Sequence, residues 1–172
     1  ADVQSYDPST NAWTAKTSMP ANRYYHGQSL LADGTVLVTG GDVGGSVSAD
    51  VQSYDPSTNA WTAKTALPAT RQFQGQSTLS DGKVLVTGGY VGGVKSADVQ
   101  SYDPSTNAWT AKTALPATRY QHKQSMLSDG TALVTGGRSP AATTTADVQQ
   151  YDPGGPILTA GRAALLGYLA AN

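Results

Sequence analysis

The chain has no cysteine. Disulfides, thiolate nucleophiles and zinc–thiolate sites are therefore excluded together, while secreted and cytoplasmic locations both stay open. Glutamate is missing too, since all twelve acidic residues are aspartate. Glutamate favours helices and aspartate favours turns, so this choice leans toward β structure. The net charge is −1, which supplies no general attraction to nucleic acid or to an anionic membrane, and neither partner is expected. No apolar run is long enough to cross a bilayer as a helix. No Asn-x-Ser/Thr glycosylation acceptor occurs. The first residue is Ala1 and not Met, the expectation for a processed, trimmed or excised segment. Against these shortages stand 19 glycines and nine prolines, the raw material of many turns.

What the chain has in abundance is self-similarity. The string ADVQSYDPSTNAWTAKT occurs three times without a change, from Ala1, Ala49 and Ala97. A fourth copy opens at Ala146 as ADVQQYDP and then diverges, so the starts lie 48, 48 and 49 residues apart. That period is too long for leucine-rich or ankyrin units and sits among propeller blades of about 40–50 residues.

One period reads as four strands and no helix. Thr35–Thr39 (TVLVT) is a short apolar run ending in a glycine pair, the pattern of a buried strand. Tyr24–Leu31 precedes it, joined through Asp33-Gly34, a strong hairpin signal because glycine accepts positive φ. Asp33, Asp81 and Asp129 are turn residues by this spacing. After a loop, Ala49–Tyr54 alternates as a third strand, residues 55–59 (DPSTN) form a turn, and Ala60–Thr65 is a fourth strand around Trp61. Four short antiparallel strands per period make one blade.

Several motifs recur in register. A double glycine follows each apolar strand (Gly40-Gly41, Gly88-Gly89, Gly136-Gly137), and a Tyr…Trp pair follows later (Tyr54/Trp61, Tyr102/Trp109). Arg23, Arg71 and Arg119 open the blades, with His26 and His122 three residues on in the first and third. This pattern resembles bacterial kelch repeats and the propeller of the galactose-oxidase group, over residues 1–153. The resemblance implies an all-β, kelch-type β-propeller of four-stranded antiparallel blades. It implies that Trp13, Trp61 and Trp109 are buried against neighbouring blades. The glycine pairs would let backbones approach closely. The arginines would bond loop carbonyls or pair with a nearby aspartate. All of these are structural roles. Galactose-oxidase relatives use a cysteine-crosslinked tyrosine with copper, which a chain without cysteine cannot carry. No cofactor or metal is expected, and no phosphate loop of the GxxxxGK type occurs.

Counting blades raises a question. Residues 1–17 read as the outer two strands of a blade, 24–65 and 72–113 as full blades, and 120–151 as three strands of another, with Ile157–Ala160 a weak fourth. Kelch repeats thus fill residues 1–160, about three and a half blades, and an Ala/Leu-rich tail of one or two helical turns or a frayed end fills 161–172. Closed propellers have four to eight blades, and an open arc exposes faces and edges. Two chains sharing one ring, a longer array, or cross-chain pairing of the first hairpin would each answer this. A homodimer that completes the ring is the favoured expectation.

The repeats differ in few places. The first strand opens Tyr24-Tyr25-His26-Gly27, then Gln72-Phe73-Gln74-Gly75, then Tyr120-Gln121-His122-Lys123. The loop after the double glycine runs Asp42–Ser48, then Tyr90–Ser96, then Arg138–Thr145. In a kelch-like blade these segments lie at the channel and on one face. Their variation fits either a binding surface or drift where packing is permissive. The candidate ligand-binding residues are Tyr24, Tyr25, His26, Phe73, Gln74, Tyr90, Tyr120, His122 and Arg138. The near-identity elsewhere points to recent duplication or to repeats engineered alike. The function expected is a non-enzymatic scaffold for protein binding or self-assembly, the alternative a multivalent carbohydrate-binding propeller whose aromatics stack on sugar rings.

Overall fold

A computed structural model of the 172-residue chain describes residues 2–139, 148–151 and 158–160. Every regular element among them is a strand, and all pairings are antiparallel. The outer hairpin Val3–Asp7/Ala12–Lys16 forms a two-stranded sheet. Three four-stranded blades follow. The first is Gly27–Leu30, Val36–Thr39, Val51–Asp55 and Ala60–Lys64, in that spatial order. The second is Gly75–Thr78, Val84–Thr87, Val99–Asp103 and Ala108–Lys112. The third is Lys123–Met126, Ala132–Thr135, Val148–Tyr151 and Leu158–Ala160. The innermost strands of successive blades approach one another, as blades converging on an axis must.

Local chemistry explains the strand ends. In the outer hairpin of the first blade, Asp55 Oδ1 accepts from the Ser57 backbone N–H at 2.8 Å and its hydroxyl at 2.6 Å. Asn59 then adopts φ 55°, a left-handed setting that asparagine tolerates. Its Oδ1 accepts from the Tyr54 hydroxyl at 2.9 Å. Asp33, Asp81 and Asp129 cap the inner hairpins in the same way, each accepting from the backbone N–H two residues on.

Two details differ from the sequence reading. The segment Tyr24–Leu31 is not one strand. Arg23–Tyr24 joins a separate small sheet, and Tyr25 at φ 59° turns the chain before Gly27–Leu30 begins. The loop after the double glycine is itself a hairpin, Asp42–Val43 against Ser46–Val47, turned by Gly44 and Gly45 at φ 62° and 91°. The fourth strand of the third blade, Leu158–Ala160, falls where a weak one was expected. The tail at 161–172 lies outside the described residues.

The cores lie between blades. Leu31, Leu37 and Val51 of the first blade meet Val84, Val86 and Tyr102 of the second, with Leu67 from the connection. Leu79, Leu85 and Val99 repeat this against Ala132, Val134 and Leu115. Alternation along a strand sets the sides, so Val84 faces the preceding blade and Leu85 the following one. Tryptophan burial is a correction. Trp61 and Trp109 are half-buried and donate through Nε1 to Thr17 O and Thr65 O, each at 2.9 Å. Trp13 is 67% exposed, because no described blade precedes it.

Candidate functional site

Backbone geometry places the site. The arginine guanidiniums tie the start of each blade to the strand ends beside it. Arg71 Nη1 donates to Gly88 O at 2.8 Å, and Nη2 pairs with Asp98. Arg23 makes the same contacts with Gly40 O and Asp50, and Arg119 reaches Gly136 O. Both glycines of the pair are required. A Cβ on Gly40 (φ 60°) would lie 2.4 Å from Arg71 O, and one on Gly41 (φ 90°) 2.6 Å from Tyr24 O. Gly41 and Gly89 use that closeness to donate to Arg71 O and Arg119 O in the next blade, each at 2.7 Å.

Two residues after each arginine the chain turns through Tyr25, Phe73 and Gln121, all left-handed, at φ 59°, 59° and 56°. Such a setting is uncommon for bulky side chains. It is held by a strap from blade to blade. Phe73 N–H donates to Tyr25 O at 3.0 Å and Gln121 N–H to Phe73 O at 2.9 Å. The turn throws the aromatic rings together. Tyr25 and Phe73 stand 4.1 Å apart between centroids, with Tyr24 4.6 Å from Tyr25. Phe73 continues edge-on to Tyr90 and Tyr120, which are 4.8 Å from each other. The five aromatic residues singled out from the sequence therefore form one connected cluster. Tyr24 and Tyr25 are about half exposed and Tyr120 is buried.

Polar groups fix the rim. Arg138 donates to the Tyr120 hydroxyl and holds it below the usual phenol range, while Tyr90, which donates to Tyr120, is pushed up. Tyr24 is raised in the same way by its bond to Asp42. Lys95 Nζ lies 5.6 Å from the centre of the Tyr120 ring, within cation–π range. The sequence reading missed Lys95, Asp42 and Gln121. The first two lie in the variable hairpins, and Gln121 was hidden because it is the non-aromatic member of its row.

Next along the chain, His26, Gln74 and His122 line a cavity of about 330 Å³ with Tyr25, Phe73 and Gln121. His122 is buried and its Nε2 lies 2.9 Å from Thr87 Oγ1. Thr87 gives its own proton to Gln124 Oε1 at 2.6 Å, so His122 is the donor and its Nδ1 is bare. Burial, then the nearby Arg119 charge, lowers the imidazole to about 4. Gln74 fills the same slot, donating from Nε2 to Thr39 O at 2.8 Å. His26 is lowered by burial and Arg23 as well. The two histidines thus border one cavity, with Gln74 between them. Among the described residues no three histidine or carboxylate groups gather as metal ligands would.

A repeated blade, a glycine pair locked under the next blade's arginine, and a variable aromatic face are the features to compare with known proteins. No curated protein matches the chain. A family model described as the KLHDC2/KLHL20/DRC7 Kelch-repeats domain matches residues 1–155. Kelch domains are generally non-enzymatic scaffolds built as β-propeller blades. With nine-tenths of its length under that model and its blades in register, the chain belongs to the kelch-repeat family.

Proposed function

We propose that this chain is a non-enzymatic scaffold that binds protein through the aromatic face and closes its ring by homo-oligomerisation, two copies to a ring. One observation carries the binding part. The two segments that change most between repeats, the start of each blade and the hairpin after the double glycine, build this face, while the first three outer hairpins and the glycine pairs are fixed. Rigid aromatic side chains on a fixed frame are the usual anchors of protein interfaces. The inter-blade cores, which leave an open face at either end of the array, support closure by a further copy.

Light scattering after size exclusion tests closure, with a mass near twice 17.7 kDa expected. A monomer at all concentrations removes the oligomeric part. For binding, random peptides displayed on phage are selected on the native protein and on a Tyr25→Ser/Phe73→Ser variant. Enrichment that the variant loses is expected. The half-exposed Tyr24 and Tyr25 favour a second reading, a glycan-binding face. Glycan-array binding without peptide enrichment would replace the first reading by the second.

A further inference from the structure

The ends of the blade array carry the two halves of an interface that the chain builds twice inside itself. In the interior, each blade offers its successor two leucines, Leu31 and Leu37 and then Leu79 and Leu85. It also offers a threonine and a serine hydroxyl. The successor's glutamine answers both: Gln76 accepts from Thr39 at 2.6 Å and donates to Ser29 at 2.9 Å, and Gln124 treats Thr87 and Ser77 alike. The third blade presents the same set again: Leu127, Leu133, Thr135 and Ser125. Leu127, Leu133 and Thr135 are partly exposed, whereas their interior counterparts are at most 6% exposed. The first blade presents the answering set, Met19, Val36 and the exposed Gln28, to an open cavity of about 460 Å³.

A second mismatch lies beside that cavity. Among the described residues no strand pairs with the inner side of Val3–Asp7, though its copies Val51–Asp55 and Val99–Asp103 each pair there with an apolar strand. Its hairpin also carries an unused latch. In the copies, Asn59 accepts from Thr17 N–H at 2.8 Å and Trp61 donates to Thr17 O, and Asn107 and Trp109 grip Thr65 in the same way. Among the described residues Asn11 and Trp13 grip no such threonine. Conversely, residues 153–160 of the fourth copy contain neither an asparagine nor a tryptophan with which to grip Thr113.

We propose that these 172 residues associate head to tail with a second copy. The face formed by Leu127, Leu133 and Thr135 of one chain enters the groove of Met19, Val36 and Gln28 of the other. Val3–Asp7 of the receiving chain takes the Ala132–Thr135 edge, Val3 opposite Thr135 and Tyr6 opposite Ala132, the register of the interior copies. Val148–Tyr151, which shares the V-Q-x-Y pattern, gives up that edge. Asn11 and Trp13 then grip Thr113. Each chain contributes three blades and two chains make six. This rests on the oligomeric reading above and specifies its interface. One residue opposes it. Lys123 stands where the interior has Gly27 and Gly75, and a Cβ on Gly75 would lie 2.5 Å from His122 Nε2. The partner's imidazole and glutamine ends must move aside there, which weakens the contact without closing it.

The test uses two partly exposed positions, Val36→Asp for the head and Leu133→Asp for the tail, with circular dichroism confirming that each variant folds. Each variant alone is expected to be monomeric. Mixed in equal amounts they should recover a heterodimer, because one intact head then meets one intact tail. A dimer that survives either substitution, or a mixture that stays monomeric beside a dimeric parent, overturns the proposal while leaving oligomerisation standing. A parent that is itself monomeric overturns both. The exchanged strand is tested separately with Ser5→Cys and Leu133→Cys in one chain that has no other thiol. Oxidation should give a covalent dimer, and a dimer that does not crosslink overturns the exchange. Lys123→Gly should tighten association about tenfold or more, and weaker association would count against the register.

Discussion

Residues 1–17 and 49–65 are the same amino acids in two surroundings. Tyr6 is 45% exposed and Tyr54 7%, and Trp13 is far more exposed than Trp61. The hairpin itself is unchanged, with five paired residues, a left-handed asparagine and a tyrosine–asparagine bond in both. Local sequence therefore builds the hairpin, and the preceding blade buries it. In a repeat protein these contributions are separable, since intrinsic and neighbour terms add approximately.

Three measurements probe that separation, all in the Val36→Asp background so that association does not blur them. The largest effect is expected at the core tyrosine. Tyr102 is 1% exposed within an inter-blade cluster, so Tyr102→Ala should lower the urea-unfolding free energy by about 3–5 kcal/mol. Tyr6→Ala should cost less than about 1 kcal/mol. Equal losses would show that the hairpin, and not its neighbour, sets the energetics.

The histidines give the second measurement. His122 is lowered to about 4, so the unfolded chain takes up its proton first, near 6.5. Stability is then full above pH 6.5 and falls as the pH drops toward 4, by about 2 kcal/mol between pH 7 and 5. His122→Gln copies the solution at Gln74 and should flatten that part of the profile. His26→Gln should change it less, because His26 is less buried than His122. A larger effect at His26 would reverse the comparison.

The smallest effect concerns the indole latch. Trp109→Phe removes the donor to Thr65 O and should cost about 1 kcal/mol, whereas Trp13→Phe should be neutral within about 0.5 kcal/mol. A measurable loss at Trp13 in the monomeric background would mean that the outer hairpin has a partner within its own chain.

Much of this was legible in the sequence for a physical reason. The apolar run after Asp-Gly and before Gly-Gly is a local signal, and all three VLVT-type strands formed where it placed them. The arginine–aspartate pairs were half legible, since Asp50 and Asp98 sit 27 residues from their partners and nothing local marks them. The break at Tyr25 was not legible. Its left-handed backbone is held by a bond from Phe73, one period away, while its own residue type argues for a strand. The aromatic cluster was legible as a set of variable positions but not as a surface. Only the convergence of blades brings Tyr90, from a hairpin that read as a loop, against Tyr120.

Three identical outer hairpins also bear on how the chain folds. Each inner edge accepts any of them with the same local contacts, so pairing across a skipped blade is degenerate at the level of the strand. Such an error loops out one period of 48 residues, and loop closure costs rise only slowly with length. What separates right from wrong is the seam. A skipped blade leaves its own core uncovered and breaks the strap from Tyr25 through Phe73 to Gln121. Refolding should accordingly pass through misregistered species that resolve by unpairing, in a slow phase that persists at high dilution. Diversifying one hairpin while keeping its tyrosine, asparagine and tryptophan would remove that phase.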